Sequence, residues 1–165
     1  MHINKSGKYV LYQNEICRLV SIGCVDDDDD LKEGFYIIIK NDKLINSECI
    51  EWLGKKIKPV NLKEIDNLYE IRHYVVCNGR KYKWYHFKKK ENIIQVDADE
   101  YEDVDTRYKY VIHDRDAFFL EVPIDEVTLY ETKTYYDKDK YINENERVVL
   151  SEETYLIDEP NWAEE

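Results

Sequence analysis

Val60-Asn-Leu-Lys-Glu-Ile-Asp-Asn-Leu-Tyr-Glu-Ile-Arg-His-Tyr74 returns as Val122-Pro-Ile-Asp-Glu-Val-Thr-Leu-Tyr-Glu-Thr-Lys-Thr-Tyr135. Both copies run from a valine through a short polar turn into Leu-Tyr-Glu, and the second has one residue fewer between the shared Glu and the shared Tyr-Glu. Upstream, Tyr9-Val-Leu-Tyr-Gln-Asn-Glu-Ile-Cys-Arg18 aligns without a gap on Tyr74-Val-Val-Cys-Asn-Gly-Arg-Lys-Tyr-Lys83, at a constant offset of 65. A period of about 60 residues is too long for a solenoid repeat and fits two copies of one small folded unit.

The stretches between these anchors read as β-strands. Lys8–Tyr12 and Ile16–Ile22 flank Gln13-Asn14, and Tyr74–Cys77 and Lys81–Phe87 flank Asn78-Gly79. Two-residue turns of this kind need positive φ, which Asn and Gly tolerate, so both are hairpin signals. The β-branched run Phe35–Lys40 reads as a third strand and Lys55–Val60 as a fourth. Asn61–Ile65 forms a tight helical turn before the strand opening at Leu68. In the second copy, Ile93–Asp97, Tyr108–His113, Phe118–Val122, the turn at Pro123–Val127 and the strand at Leu129–Tyr135 follow the same plan. Tyr69 and Tyr130 should then be equivalent.

Five short strands with a helical turn before the last, in about 60 residues, resemble an SH3-like barrel. The resemblance covers residues 8–136. It implies an all-β chain of two tandem SH3-like five-stranded barrels from an internal duplication, residues 1–73 and 74–136, with a C-terminal extension at 137–165 packed on the second barrel or partly disordered. No Pro/Gly/Ser linker separates the copies, which predicts rigid fusion through residues 68–77. In the extension, Arg147–Leu150 and Thr154–Ile157 read as strands.

The 165 residues carry 36 Asp and Glu against 24 Lys and Arg, a net charge of -12, with 15 Tyr, 3 Trp and 4 Phe. That balance opposes general attraction to nucleic acid or anionic membranes, whose binding draws on basic side chains, and favours a basic partner. No run is long and apolar enough for a membrane span, and Met1–Gly7 has no signal core, so a cytoplasmic location is expected. Cys17, Cys24, Cys49 and Cys77 form no CxxC pair and read as free thiols, most of them packed among apolar residues.

His2, His73, His86 and His113 are scattered, with no nucleophile elbow or Gly-rich phosphate loop beside them, so no catalytic residue, metal or cofactor is assigned and an enzyme is not expected. Two acidic runs stand out. Asp26, Asp27, Asp28, Asp29 and Asp30 are consecutive, without the alternation and Gly of a calcium loop. Asp97, Asp99, Glu100, Glu102, Asp103 and Asp105 surround Tyr101 in a loop of the second copy. Each is either a solvated loop or half of an acidic docking face, and the second, with Tyr101 as an aromatic anchor, is the favoured contact. Arg80–Lys90 is a basic strip interleaved with aromatics, a pattern that can bind single-stranded nucleic acid. Alternation would place Tyr82, Trp84 and His86 on one face and Lys81, Lys83, Tyr85 and Phe87 on the other, making one aromatic set core.

A small acidic chain without catalytic motifs, rich in Tyr, Ile, Lys and Asn as in low-GC bacteria, resembles the immunity proteins that protect cells from their own polymorphic or contact-dependent toxins. That resemblance implies a non-enzymatic protein that neutralises a basic toxin domain by direct binding. A peptide-binding adaptor and a nucleic-acid module are the alternatives.

Overall fold

The structure, a computed structural model, describes residues 6–23, 31–83, 85–98, 107–113 and 117–157. Thirteen strands and one helix follow in chain order: β1 Gly7–Tyr12, β2 Glu15–Ile22, β3 Gly34–Ile39, β4 Ile50–Trp52, β5 Lys55–Pro59, β6 Ile65–Cys77, β7 Arg80–Tyr82, β8 Tyr85–Lys88, β9 Ile93–Asp97, β10 Lys109–His113, β11 Ala117–Pro123, β12 Thr128–Tyr136, α1 Lys138–Glu144 and β13 Val149–Ile157. The chain is all-β in class. Its described residues divide into two compact units, one within Gly7–Ile71 and Lys133–Glu153 and the other within Arg72–Thr132 with Ser6 and Thr154–Ile157.

In the first unit β1 pairs with β2, β2 with β3, β3 with β5, β5 with β4, and β1 with β6, all antiparallel. In the second, β6 pairs with β7, β8 with β9, β9 with β11 and β11 with β10. β12 lies beside β6 in the strand order. The same succession of partners occurs in each repeat, with β2 of the first represented by β7 and β8 in the second. Among the described residues neither sheet closes on itself: one runs β13-β12-β6-β1-β2-β3-β5-β4, with β7 on β6, and the other β10-β11-β9-β8. The expected five-stranded barrels differ from this: in the first unit the path ends at β4, a three-residue strand on the outer side of β5 that the sequence reading did not include.

The local physics of the repeat is visible in its turns. Gln13 and Asn14 have φ of 46° and 66°, and Asn78 and Gly79 have φ of 50° and 77°, so both copies use a turn in which each central residue is left-handed. The positions flanking these turns are inward in both copies: Val10 and Val75 are fully buried, and Tyr12 and Cys77 nearly so. β3 buries both faces, Ile37 and Ile39 against Val10 and Leu19, and Tyr36 and Ile38 against Ile22 and Ile57. That explains its unbroken apolar run.

The stretches leading into the two Leu-Tyr-Glu passages differ in length by one residue, and the structure shows where it goes. Tyr9 faces Tyr69 but Leu11 faces Asp66, so two steps on β1 span three on β6. The surplus is a β-bulge, and Asn67 within it has φ of 48°. Ile65 and Leu68, three residues apart, both reach the core because of it; the corresponding Leu129 needs no bulge.

The repeated tyrosines are not equally buried. Tyr69 is inside, stacked on Tyr9 at 5.7 Å between ring centroids and against Tyr135 at 5.5 Å. Tyr130 is half-buried and stacks on Tyr74 at 4.9 Å. Tyr69→Ala is therefore expected to cost about 3 kcal/mol and Tyr130→Ala about 1 kcal/mol in urea unfolding, since cost follows the burial lost. Equal losses at the two sites would show that burial does not govern this pair.

The basic strip does not keep one alternation. β7 ends at Tyr82 and β8 begins at Tyr85, and the interruption resets the pleat, so Tyr82 and Phe87 both enter the core while Lys83 and His86 face out. The proposed grouping of Tyr85 and Phe87 on the face opposite Tyr82 is corrected accordingly.

Candidate functional site

In the first unit a cleft of about 310 Å3 is lined by Asp66, Asn67 and Leu68 from β6, Tyr135 and Tyr136 from β12, Asp137, Lys138 and Asp139 at the start of α1, and Leu150 from β13. The bulge brings Asp66 and Asn67 outward at its rim. The helix is anchored by Tyr141, fully buried with Val10, Tyr12 and Leu68. It starts where the Asp137 carboxylate accepts from the Lys140 N–H at 3.0 Å, and it stops at left-handed Asn145.

Three carboxylates and one ammonium line the cleft, but the ammonium is committed. Lys138 Nζ donates to the Leu62 and Ile65 carbonyls at 3.0 and 2.6 Å and lies 4.0 Å from Asp66. It thus holds the turn preceding β6. Asp137 is engaged as the helix cap, whereas Asp66 and Asp139 stand in solvent. Tyr136 donates to Glu70 at 2.9 Å, which leaves its ring as a wall of the cleft. No Ser, Cys or His lines the cleft, so its chemistry is that of a cation-accepting surface with aromatic and aliphatic sides. Among the described residues no group of three His, Cys, Asp or Glu side chains could hold a metal ion.

β13 bounds this region. Thr132 with Thr154, and Thr134 with Glu152, are joined by side-chain hydrogen bonds, and β13 is the terminal strand of its sheet. Val149 and Leu150 are 53% and 65% exposed, and every residue from Val149 to Thr154 is exposed.

In the second unit the ionisable groups are bound to one another. His73 and Glu131 are buried side by side. Ser6 Oγ and His73 Nδ1 share a hydrogen bond of 2.8 Å, Nε2–H donates to Glu131 Oε1 at 2.8 Å, and Tyr155 donates to the other Glu131 oxygen. Burial holds the His73 pKa down at about 4. Glu121 accepts from Lys88 at 2.8 Å and Lys109 at 3.1 Å, and the Lys88 hydrogen bond first of all lowers its pKa to about 2. Cys17, Cys49 and Cys77 are free, and burial raises the Cys17 thiol to about 11.

Of the acidic loops expected at a partner surface, Asp97 ends β9 opposite Phe119 and is exposed. Asp26, Asp27, Asp28, Asp29, Asp30, Asp99, Glu100, Tyr101, Glu102, Asp103 and Asp105 lie outside the described residues. The cleft was missed in the sequence because its carboxylates are about 70 positions apart. The signal that marked it was the one-residue difference between the repeats. Among the described residues, no helix is long and apolar enough to cross a membrane. No protein-family model, curated protein or solved structure matches this chain.

Proposed function

We propose that this chain is a non-enzymatic acidic binding protein that neutralises a basic protein by direct contact, as an immunity protein does a toxin domain, and that its repeats derive from one SH3-like unit. The observation that supports this is the charge balance of the cleft: Asp66 and Asp139 face solvent while Lys138 is tied to backbone carbonyls. The net charge of -12 extends that field beyond the cleft and favours rapid encounter with a cationic surface. Asp26–Asp30 and Asp97–Asp105 widen the acidic surface in this reading, with the second loop the preferred contact.

The test is the association of the purified chain with the basic product of the open reading frame adjoining its gene. One-to-one binding is expected, with an on-rate that falls at least tenfold between low and physiological salt, because exposed charges act over a Debye length of about 8 Å. Asp66→Asn with Asp139→Asn should weaken binding about tenfold or more. Neutralising each acidic loop separately shows which of them contributes. A salt-independent association, unchanged in all three variants, would overturn the reading.

A further inference from the structure

We propose that the β13 edge takes up an extended strand of the partner, paired along Val149–Glu153, with a Lys or Arg side chain of that strand seated in the Asp66/Asp139 cleft. The inference rests on the basic-partner reading and specifies how the partner is held.

β13 has β12 on one side and no strand on the other among the described residues, so one row of its backbone N–H and C=O groups is open to pairing. Edge strands are ordinarily guarded by shortness, charged side chains, proline or a bulge, and of these β13 has only the charges of Glu152 and Glu153, which a cationic strand would match. β13 is nine residues long and contains no Pro, Lys or Gly. Nor does its first part bury a face as a strand usually does, since Val149, Leu150, Ser151, Glu152, Glu153 and Thr154 are all exposed, and only Tyr155 and Ile157 beyond them turn inward. A strand added here would gain main-chain hydrogen bonds for affinity, while alternate side chains meet Val149 and Leu150 for selectivity.

Charge identifies the occupant. The only ionisable residues on Val149–Glu153 are Glu152 and Glu153, and Leu150 shares the cleft with Asp66 and Asp139. A long cationic side chain from the added strand, crossing Leu150 with its aliphatic stem against that side chain, enters the cleft mouth in the field of those carboxylates. A second copy of this chain fits less well. Antiparallel self-pairing through the same segment would set Glu152 and Glu153 opposite Leu150 and Val149 of the other copy, supplying no cation to the cleft, across two molecules that each carry -12.

The probe is an acetylated, amidated octapeptide of alternating Lys and Val, titrated against the full chain by calorimetry and by amide hydrogen exchange. Expected are saturable binding, slowed exchange within Val149–Glu153, and affinity at least tenfold weaker for Asp66→Asn with Asp139→Asn. The same peptide N-methylated on alternate residues, and a Glu-Val counterpart, should each bind at least tenfold more weakly. Leu150→Lys, a change at an exposed position, should also weaken binding tenfold while leaving thermal unfolding unchanged. No binding of the Lys-Val peptide, or binding without protection of β13, overturns the inference. Equal affinity of the N-methylated peptide also overturns it, while leaving the acidic cleft and the basic-partner reading intact. Concentration-dependent dimerisation of the chain alone, with protection at β13, would assign the edge to a second copy instead.

Discussion

Tyr141→Ala is expected to cost about 3–5 kcal/mol of folding stability, and Tyr141→Phe to be neutral or to gain about 1 kcal/mol. Tyr141 is fully buried and makes the docking contact of α1, with Phe35 and Tyr136 at 5.7 and 5.4 Å between ring centroids. Lys8 and Arg147 approach its ring at 5.7 and 3.9 Å, so the aromatic face is used as well as the volume. Its hydroxyl, in contrast, is buried with no hydrogen-bond partner among the described residues. Removing the ring leaves a cavity and frees the helix, whereas removing only the oxygen relieves a desolvated polar atom. Urea unfolding of the two variants decides the matter. A Phe variant weaker than wild type by more than about 1 kcal/mol would show that the hydroxyl is bonded.

Glu131→Ala is expected to cost about 3–5 kcal/mol, because it leaves the buried donors of His73 and Tyr155 without their acceptor. The same network makes the wild type sensitive to mild acid. Unfolded histidine binds a proton near pH 6.5, while folded His73 does so only at about 4. Between those values the unfolded state holds more protons, so stability falls as pH drops below about 6.5, by up to about 3 kcal/mol at full effect. Carboxylates contribute below about pH 5, so the informative range is 6.5 to 5. Urea midpoints across that range should decline in the wild type and flatten in His73→Gln. A wild-type midpoint that stays level would mean that the imidazole titrates normally in the fold.

Legibility from sequence followed the range of the interaction concerned. The hairpins at Gln13-Asn14 and Asn78-Gly79 were readable because two adjacent residues determine the turn, and β3 because its apolar run is its own signature. Each copy's turn before Leu-Tyr-Glu was readable from recurrence. The repeated Glu in that passage has a role that recurrence alone did not disclose: Glu70 accepts from Tyr136 and Glu131 from Tyr155. Helix α1 was missed because a single residue, Tyr141, supplies its buried face, and one residue makes no period. The aspartate before it and the asparagine after it were the available signs. The extension read as two short strands is the single strand β13, whose solvent exposure on both faces removes the alternation that strand reading depends on. The cleft depends on β6 and β12 lying side by side, a long-range fact that no local window contains.

The bulge at Asn67 bears on how two sequence repeats can differ in length and still keep one pattern. Strand side chains obey a parity rule, so a gained or lost residue ordinarily turns everything beyond it inside out. Here the additional residue is absorbed in a left-handed kink, which restores parity before Leu68 and leaves the inward set shared by the two repeats intact. The core positions of that repeat are kept, yet its surface carries an outward residue beside Asp66 that the other repeat lacks. A length difference confined in this way gives one repeat a surface position that the other does not have, without disturbing the buried set.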